Sequence, residues 1–173
     1  HLRPRRQRQM CIRDSYSSGT TGAPKCIVHG VGGVTLQHAK ELRLHSDVRP
    51  EDRLFFFTTC GWMMWNWVVS GLMVGTPVIL YEGNPFHPGP DRLWQMAEAE
   101  RLTHMGVSAK YVDAVRNAGY LPGQNVDLSA LRMIMSTGSP LSAEAFEFIY
   151  RDVSPSLQLC SISGGTCLLY TSP

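Results

Sequence analysis

"LRMIMSTGSPLSAEAFEFIYRDVSPSLQLCSIS", Leu131 to Ser163, sets two short apolar runs around one stretch of helical spacing. "LRMIMS" (131–136) and "LQLCSIS" (157–163) read as buried strands. Between them "SAEAFEFIYRDV" (142–153) reads as a helix, opened by Ser142, whose hydroxyl can accept from the free N–H groups of the first turn. A strand, a helix and a strand joined this tightly form a βαβ unit, so the two strands run parallel.

The same alternation extends upstream. Strands are expected at "CIVH" (26–29), "RLFFFTT" (53–59), "PVILY" (77–81, with Pro77 tolerated at the first position) and "THMGVS" (103–108). Helices are expected at 32–45, with Leu36, Ala39, Leu42 and Leu44 inward, and at 62–75, 91–102 and 109–119, the last closed by Gly119. In the second of these, Trp65, Trp67 and Met73 are expected to pack on the sheet. "YLPGQNVDL" (120–128) is a turn-rich linker. The fold class is therefore α/β, a mostly parallel sheet with flanking helices. Ligands of such sheets sit beyond the carboxyl ends of the strands. "TTCGW" (58–62), "STGSP" (136–140) and "SGGT" (163–166) all fall there.

A fourth stretch, "YSSGTTGAPK" (16–25), carries the most suggestive chemistry. Gly19 and Gly22 let backbone N–H groups turn inward, and Ser17, Ser18, Thr20 and Thr21 add hydroxyl donors. Lys25 ends the run with one fixed positive charge, which together suits the phosphates of a nucleotide. The spacing fits neither the Walker loop nor the dinucleotide fingerprint. A plain flexible turn has a similar composition.

The order of residues in "YSSGTTGAPK" resembles the phosphate loop of the acyl-adenylate-forming (AMP-binding) superfamily, which includes acyl-CoA synthetases, luciferase and peptide-synthetase adenylation domains. "TTCGWMMWN" (58–66) resembles its acyl-pocket helix, "STGSPLSAEAF" (136–146) its adenine turn, and "SISGGT" (161–166) its strand ending in threonine. Within the superfamily, residues 55–85 look most like the branch that activates acetoacetate.

The resemblance implies a partial adenylation domain over 16–166, part of the larger N-terminal domain of such enzymes. It implies ATP and Mg2+ as cofactors, with coenzyme A as co-substrate: a carboxylate attacks the α-phosphorus of ATP, and a thiol then displaces AMP. Ser17, Ser18, Gly19, Thr20, Thr21, Gly22 and Lys25 would hold the β- and γ-phosphates. Gly138, Ser139 and Pro140 would frame adenine, and Thr166 would touch the α-phosphate; Thr166 and Lys25 are the implied catalytic pair. The superfamily's magnesium-binding acid should follow Thr166, but Cys167 stands there. Trp62, Met63 and Met64 would line one wall of the acyl pocket and Gly164 the other. Related acetyl-CoA synthetases place a tryptophan where Gly164 aligns, which shortens their pocket. Asn66 would either touch a 3-keto oxygen or make a local hydrogen bond. A different adenylate-forming enzyme, a short-chain acyl-CoA synthetase or carrier-protein adenylation domain, and a non-catalytic nucleotide-binding module are the alternatives. The superfamily's ribose-binding aspartate, hinge and C-terminal lysine have no counterpart in this sequence, so the chain alone is expected to be inactive.

Both ends read differently. "MCIRD" (10–14) and the start of Ser15 can be encoded by ATG TGT ATA AGA GAC AG, and the reverse complement of that string encodes "CLLYT" (167–171). The string resembles a transposon-end sequencing adapter. Residues 1–15 and 167–173 are therefore set apart as adapter-like and non-native. Residues 1–15 carry five arginines and one aspartate. Without them sixteen basic and fourteen acidic side chains become eleven and thirteen, a net charge of −2. The basic arm that would suggest nucleic-acid binding disappears with them. Gly71, Gly75 and Pro77 interrupt the longest apolar run below membrane-spanning length, so neither nucleic acid nor membrane is an expected partner. Cys26, Cys60 and Cys160 are scattered and lack metal spacing, which fits buried thiols in a reducing cytoplasm and no metal site. Glu41, Asp47, Glu51 and Asp52 read as a solvated acidic face, and the histidines as structural.

Overall fold

Five parallel strands build the sheet that organises residues 48–163. The computed structural model describes the backbone of residues 11–16 and 26–164 and the side chains of 29–164. The chain divides into two compact units, Val48–Ser163 and His1–Asp47 with Gly164–Pro173.

In the smaller unit β1 (Cys11–Tyr16) pairs antiparallel with β2 (Cys26–Gly30), and α1 (Val31–Lys40) follows. β1 lies largely on residues read above as adapter-like; such pairing runs through backbone groups and asks little of side-chain identity. His38 and Leu42 are buried four residues apart, whereas Leu36 and Leu44, expected inward, are 74% and 78% exposed. Leu36 sits two residues, about 200°, round the helix from His38. Leu44 likewise lies two residues, about half a turn, from the buried Leu42, in a stretch (Glu41–His45) of π geometry.

In the larger unit the elements run β3 (Leu54–Phe56), α2 (Met63–Val69), β4 (Val78–Ile79), α3 (Arg92–Ala99), β5 (His104–Ser108), α4 (Ala109–Asn117), α5 (Pro122–Asn125), β6 (Met133–Thr137), α6 (Ala143–Phe148) and β7 (Gln158–Ser161). The strand order is β4-β3-β5-β6-β7, every neighbour parallel. The expected parallel α/β sheet is therefore present, with β3 and β4 shorter than their apolar runs. The linker 120–128 contains the short helix α5, opened by Pro122 at a position that needs no N–H.

Alternation along the strands separates two faces. One carries Phe55, Met105, Val107, Ile134 and Leu159 into a core with α3, α4 and α6, including the fully buried Trp94 and Val112. The other carries Phe56, Gly106 and Met135 in register. There the Phe56 ring meets Trp67 of α2 edge-on, centroids 6.2 Å apart. Trp67 thus packs as expected, Trp65 is half-buried, and Met73 is corrected to 45% exposed. Ser70–Val74 tightens to a 3-10 helix, whose three-residue turn points Gly71 and Val74 inward instead.

Gly106 has a steric reason to be glycine. A Cβ there would lie 1.9 Å from Cδ2 of Phe56, inside the ring that covers it. Gly106→Ala is expected to cost about 1–3 kcal/mol by overpacking. A lowered melting temperature in the full-length protein checks this, and an unchanged one would show that the ring can move aside.

At the amino edge of the sheet one acid corrects the expected solvated face. Asp52 is 2% exposed and accepts from Arg132 Nη1 and the backbone N–H of Arg49, both at 2.8 Å. Its partner Arg132 lies eighty residues on, so no local pattern announces the pair. Cys60, expected buried, is exposed.

Candidate active site

The order β4-β3-β5-β6-β7 places a switch point between β3 and β5. From β3 the chain crosses to β4 through α2 on one face; from β5 it crosses the opposite way to β6 through α4 on the other. Right-handed crossovers require that change of face. At such a point the connections part and leave a crevice beyond the carboxyl ends of the strands, where ligands bind. The segments after β3, β5, β6 and β7 all begin on this edge.

The turn after β6 is shaped by Gly138, whose φ of 91° is left-handed and whose missing Cβ faces open space. The backbone conformation, not crowding, demands glycine there. Ser139 and Pro140 are exposed beside it. The turn is pinned from behind: Leu141 N donates to Ser161 Oγ at 3.4 Å, and Ile162 N to Ser136 O at 2.8 Å. Ser142 then caps α6 as expected, its Oγ accepting from Ala145 N at 3.2 Å. Backbone and Ser142 hydrogen bonds hold the Glu144 carboxyl below its ordinary range. The edge at 138–140 thus combines open backbone with a rigid base.

The segment after β3 leads into α2. Trp62 is 52% exposed, Met63 half-buried and Met64 8% exposed, so only the first two face open space to any extent. After β5, Ser108 caps α4 by accepting from Tyr111 N at 3.1 Å. Burial pushes the Tyr111 phenol well above its ordinary range, so it stays neutral. Ser108 and Thr137 share the edge with the expected residues but were not singled out from sequence. Their signal is the β5–β6 register, which no single strand reveals.

The remaining candidates divide cleanly. Ser17, Ser18, Gly19, Thr20, Thr21, Gly22, Lys25 and Thr166 lie outside the described residues. Gly164 is exposed and belongs to the smaller unit. Among the described residues no cluster of three or more His, Cys, Asp or Glu could hold a metal ion, and no helix is long and apolar enough to cross a membrane.

Comparison with known proteins matches these features to one family. The AMP-binding enzyme family model matches residues 11–165. Acetoacetyl-coenzyme A synthetase of Rhizobium meliloti (strain 1021) is 58% identical over 151 residues, covering 87% of this chain and 23% of that protein. Malonamoyl-CoA synthetase of Penicillium aethiopicum is 43% identical over 168 residues, covering 89% and 23%. The solved acetoacetyl-CoA synthetase from Streptomyces lividans superposes with a TM-score of 0.84 at 45% identity, over 90% of this chain and 25% of that one. The chain therefore spans about a quarter of the length of these relatives. With a matching family model over most of its length and a shared fold, this chain belongs to the AMP-binding enzyme family.

Proposed function

We propose that residues 16–166 are an internal part of an AMP-forming acid–thiol ligase that activates acetoacetate, or a closely related short-chain carboxylate, and passes it to coenzyme A. The observation that carries this reading is the switch-point edge, where the segments at 58–64 and 138–140 leave the same edge of one parallel sheet, from β3 and β6 on either side of β5. Similarity to acetoacetyl- and malonamoyl-CoA synthetases supports the substrate class, since both acyl groups carry a second carbonyl on carbon 3.

In this reading Ser17–Gly22 and Lys25 hold the β- and γ-phosphates, Thr166 the α-phosphate, and Gly138–Pro140 the adenine. The work of these groups is electrostatic: they keep the phosphates in line and stabilise charge spreading over their oxygens. Trp62, Met63 and Met64 bound the acyl cavity on one side and Gly164 on the other. Mg2+ fits this chain poorly as a resident ion. The phosphate loop offers hydroxyls, N–H groups and an ammonium but no carboxylate. The ion enters on the phosphates of ATP. A small-molecule carboxylate, ATP and coenzyme A are the partners, and the cytoplasm is the proposed compartment.

The test is ATP–pyrophosphate exchange by the full-length protein carrying residues 16–166, with acetoacetate, acetate and butyrate. Acetoacetate is expected to support the fastest exchange. Faster exchange with acetate would overturn the substrate, and exchange with none of the three would overturn the reaction.

A further inference from the structure

We infer that the Thr137 hydroxyl, with Ser108 beside it, reads the second oxygen of the acyl chain, the carbonyl on carbon 3. This deepens the proposed function and rests on it. Ser108 and Thr137 are in-register partners at the last rung of β5 and β6. Their side chains therefore leave the same face of the sheet, the one that α2 covers at Phe56. One pair deeper on that face are Gly106 and Met135, and Phe56 pairs with Gly106 from β3.

The result is an apolar floor with a polar rim. The Phe56 ring lies over the bare backbone of Gly106, and Met135 is 2% exposed next to it. Next along these strands, at their carboxyl ends, stand two hydroxyls, Ser108 on β5 beside the crevice and Thr137 on its neighbour β6. Small-molecule sites have this composition: mostly apolar walls and a few polar groups that fix orientation.

The neighbouring hydrogen bonds decide which hydroxyl can donate. Thr58, two residues beyond Phe56, already gives its hydrogen to Thr59 O at 3.2 Å. Ser108 accepts from Tyr111 N, which commits one of its two lone pairs and leaves its hydrogen available. Thr137 is half-buried, and among the described residues no hydrogen bond engages its hydroxyl. A carbonyl oxygen accepts only, so Thr137 is its best match and Ser108 a second donor. Asn66, the earlier candidate for the same oxygen, sits on α2 rather than on this rim.

The prediction concerns a ratio. Butyrate has acetoacetate's chain length but no oxygen on carbon 3. Thr137→Val in the full-length protein removes the hydroxyl and keeps the shape. It is expected to lower the ratio of kcat/KM for acetoacetate to that for butyrate about 10–100-fold, since a site built to bond a polar group discriminates strongly by it. Thr137→Ser keeps a hydroxyl and should keep most of the ratio. If the valine protein no longer melts cooperatively, Thr137→Ala repeats the test. A ratio that stays within twofold, or serine losing it as fully as valine, overturns the inference while leaving the proposed function standing. An unsubstituted protein that activates neither acid overturns the proposed function, and this inference with it.

Discussion

Lys25→Ala in the full-length protein is expected to slow ATP–pyrophosphate exchange about 100–1,000-fold, the usual loss when one preorganised charge-stabilising donor is removed. The reasoning starts from the loop "YSSGTTGAPK", where Lys25 is the single ionised side chain among hydroxyls and glycines. Hydroxyls and N–H groups orient phosphate oxygens but leave the net charge of a triphosphate unbalanced. An ammonium on a long stem supplies that balance as a point charge, and it matters most when charge builds on the departing pyrophosphate. The loss should therefore fall more on kcat than on KM for ATP. Lys25→Arg keeps the charge but replaces a compact ammonium by a wide planar fork, so it should recover only part of the rate. Exchange within threefold of the unsubstituted protein after Lys25→Ala would remove Lys25 from the phosphate site. A loss confined to KM for ATP would leave it a binding role alone.

Much of the architecture was legible because local patterns and tertiary packing agree in it. The βαβ unit at 131–163 has strand, cap and helix in consecutive residues, and Ser142 performs the capping its position suggests. Trp67 packs on the sheet as its place in the helical pattern requires. The failures share a cause in departures from ideal geometry or in long-range pairing. Met73 turns outward where its helix tightens to 3-10, which a 3.6-residue period does not anticipate. Asp52 is buried because Arg132 meets it from eighty residues away. The site divides along the same line. Gly138 was legible, since a glycine after a strand and before a capped helix marks a turn, and its φ is left-handed. Ser108 and Thr137 were not, because two hydroxyls become one feature only when the pairing of β5 and β6 is known.

Gly164→Trp is expected to raise the ratio of kcat/KM for acetate to that for acetoacetate about 100-fold. Gly164 is exposed, directly after the segment that follows β7, and contributes no side chain of its own. If that segment closes the acyl cavity, the cavity is long because hydrogen stands where acetyl-CoA synthetases carry an indole. Restoring the ring fills the space needed by carbons 3 and 4 of acetoacetate but spares the carboxylate and the adjacent methyl of acetate. Shape exclusion of this kind acts on the longer acid alone, and its size is bounded by what one or two carbons contribute in an apolar pocket, roughly 10–200-fold per methylene. Gly164→Ala adds one methyl and should move the ratio only slightly, which separates filling of the cavity from any intolerance of a side chain at that backbone position. Gly164→Trp and Thr137→Val also make a joint test. If Thr137 reads the second oxygen and Gly164 leaves room for it, then adding Thr137→Val to Gly164→Trp should change little further, because acetate has no oxygen to lose and acetoacetate is already excluded. Additive losses in the double variant would mean that the two residues act independently, and the single elongated cavity would have to be given up.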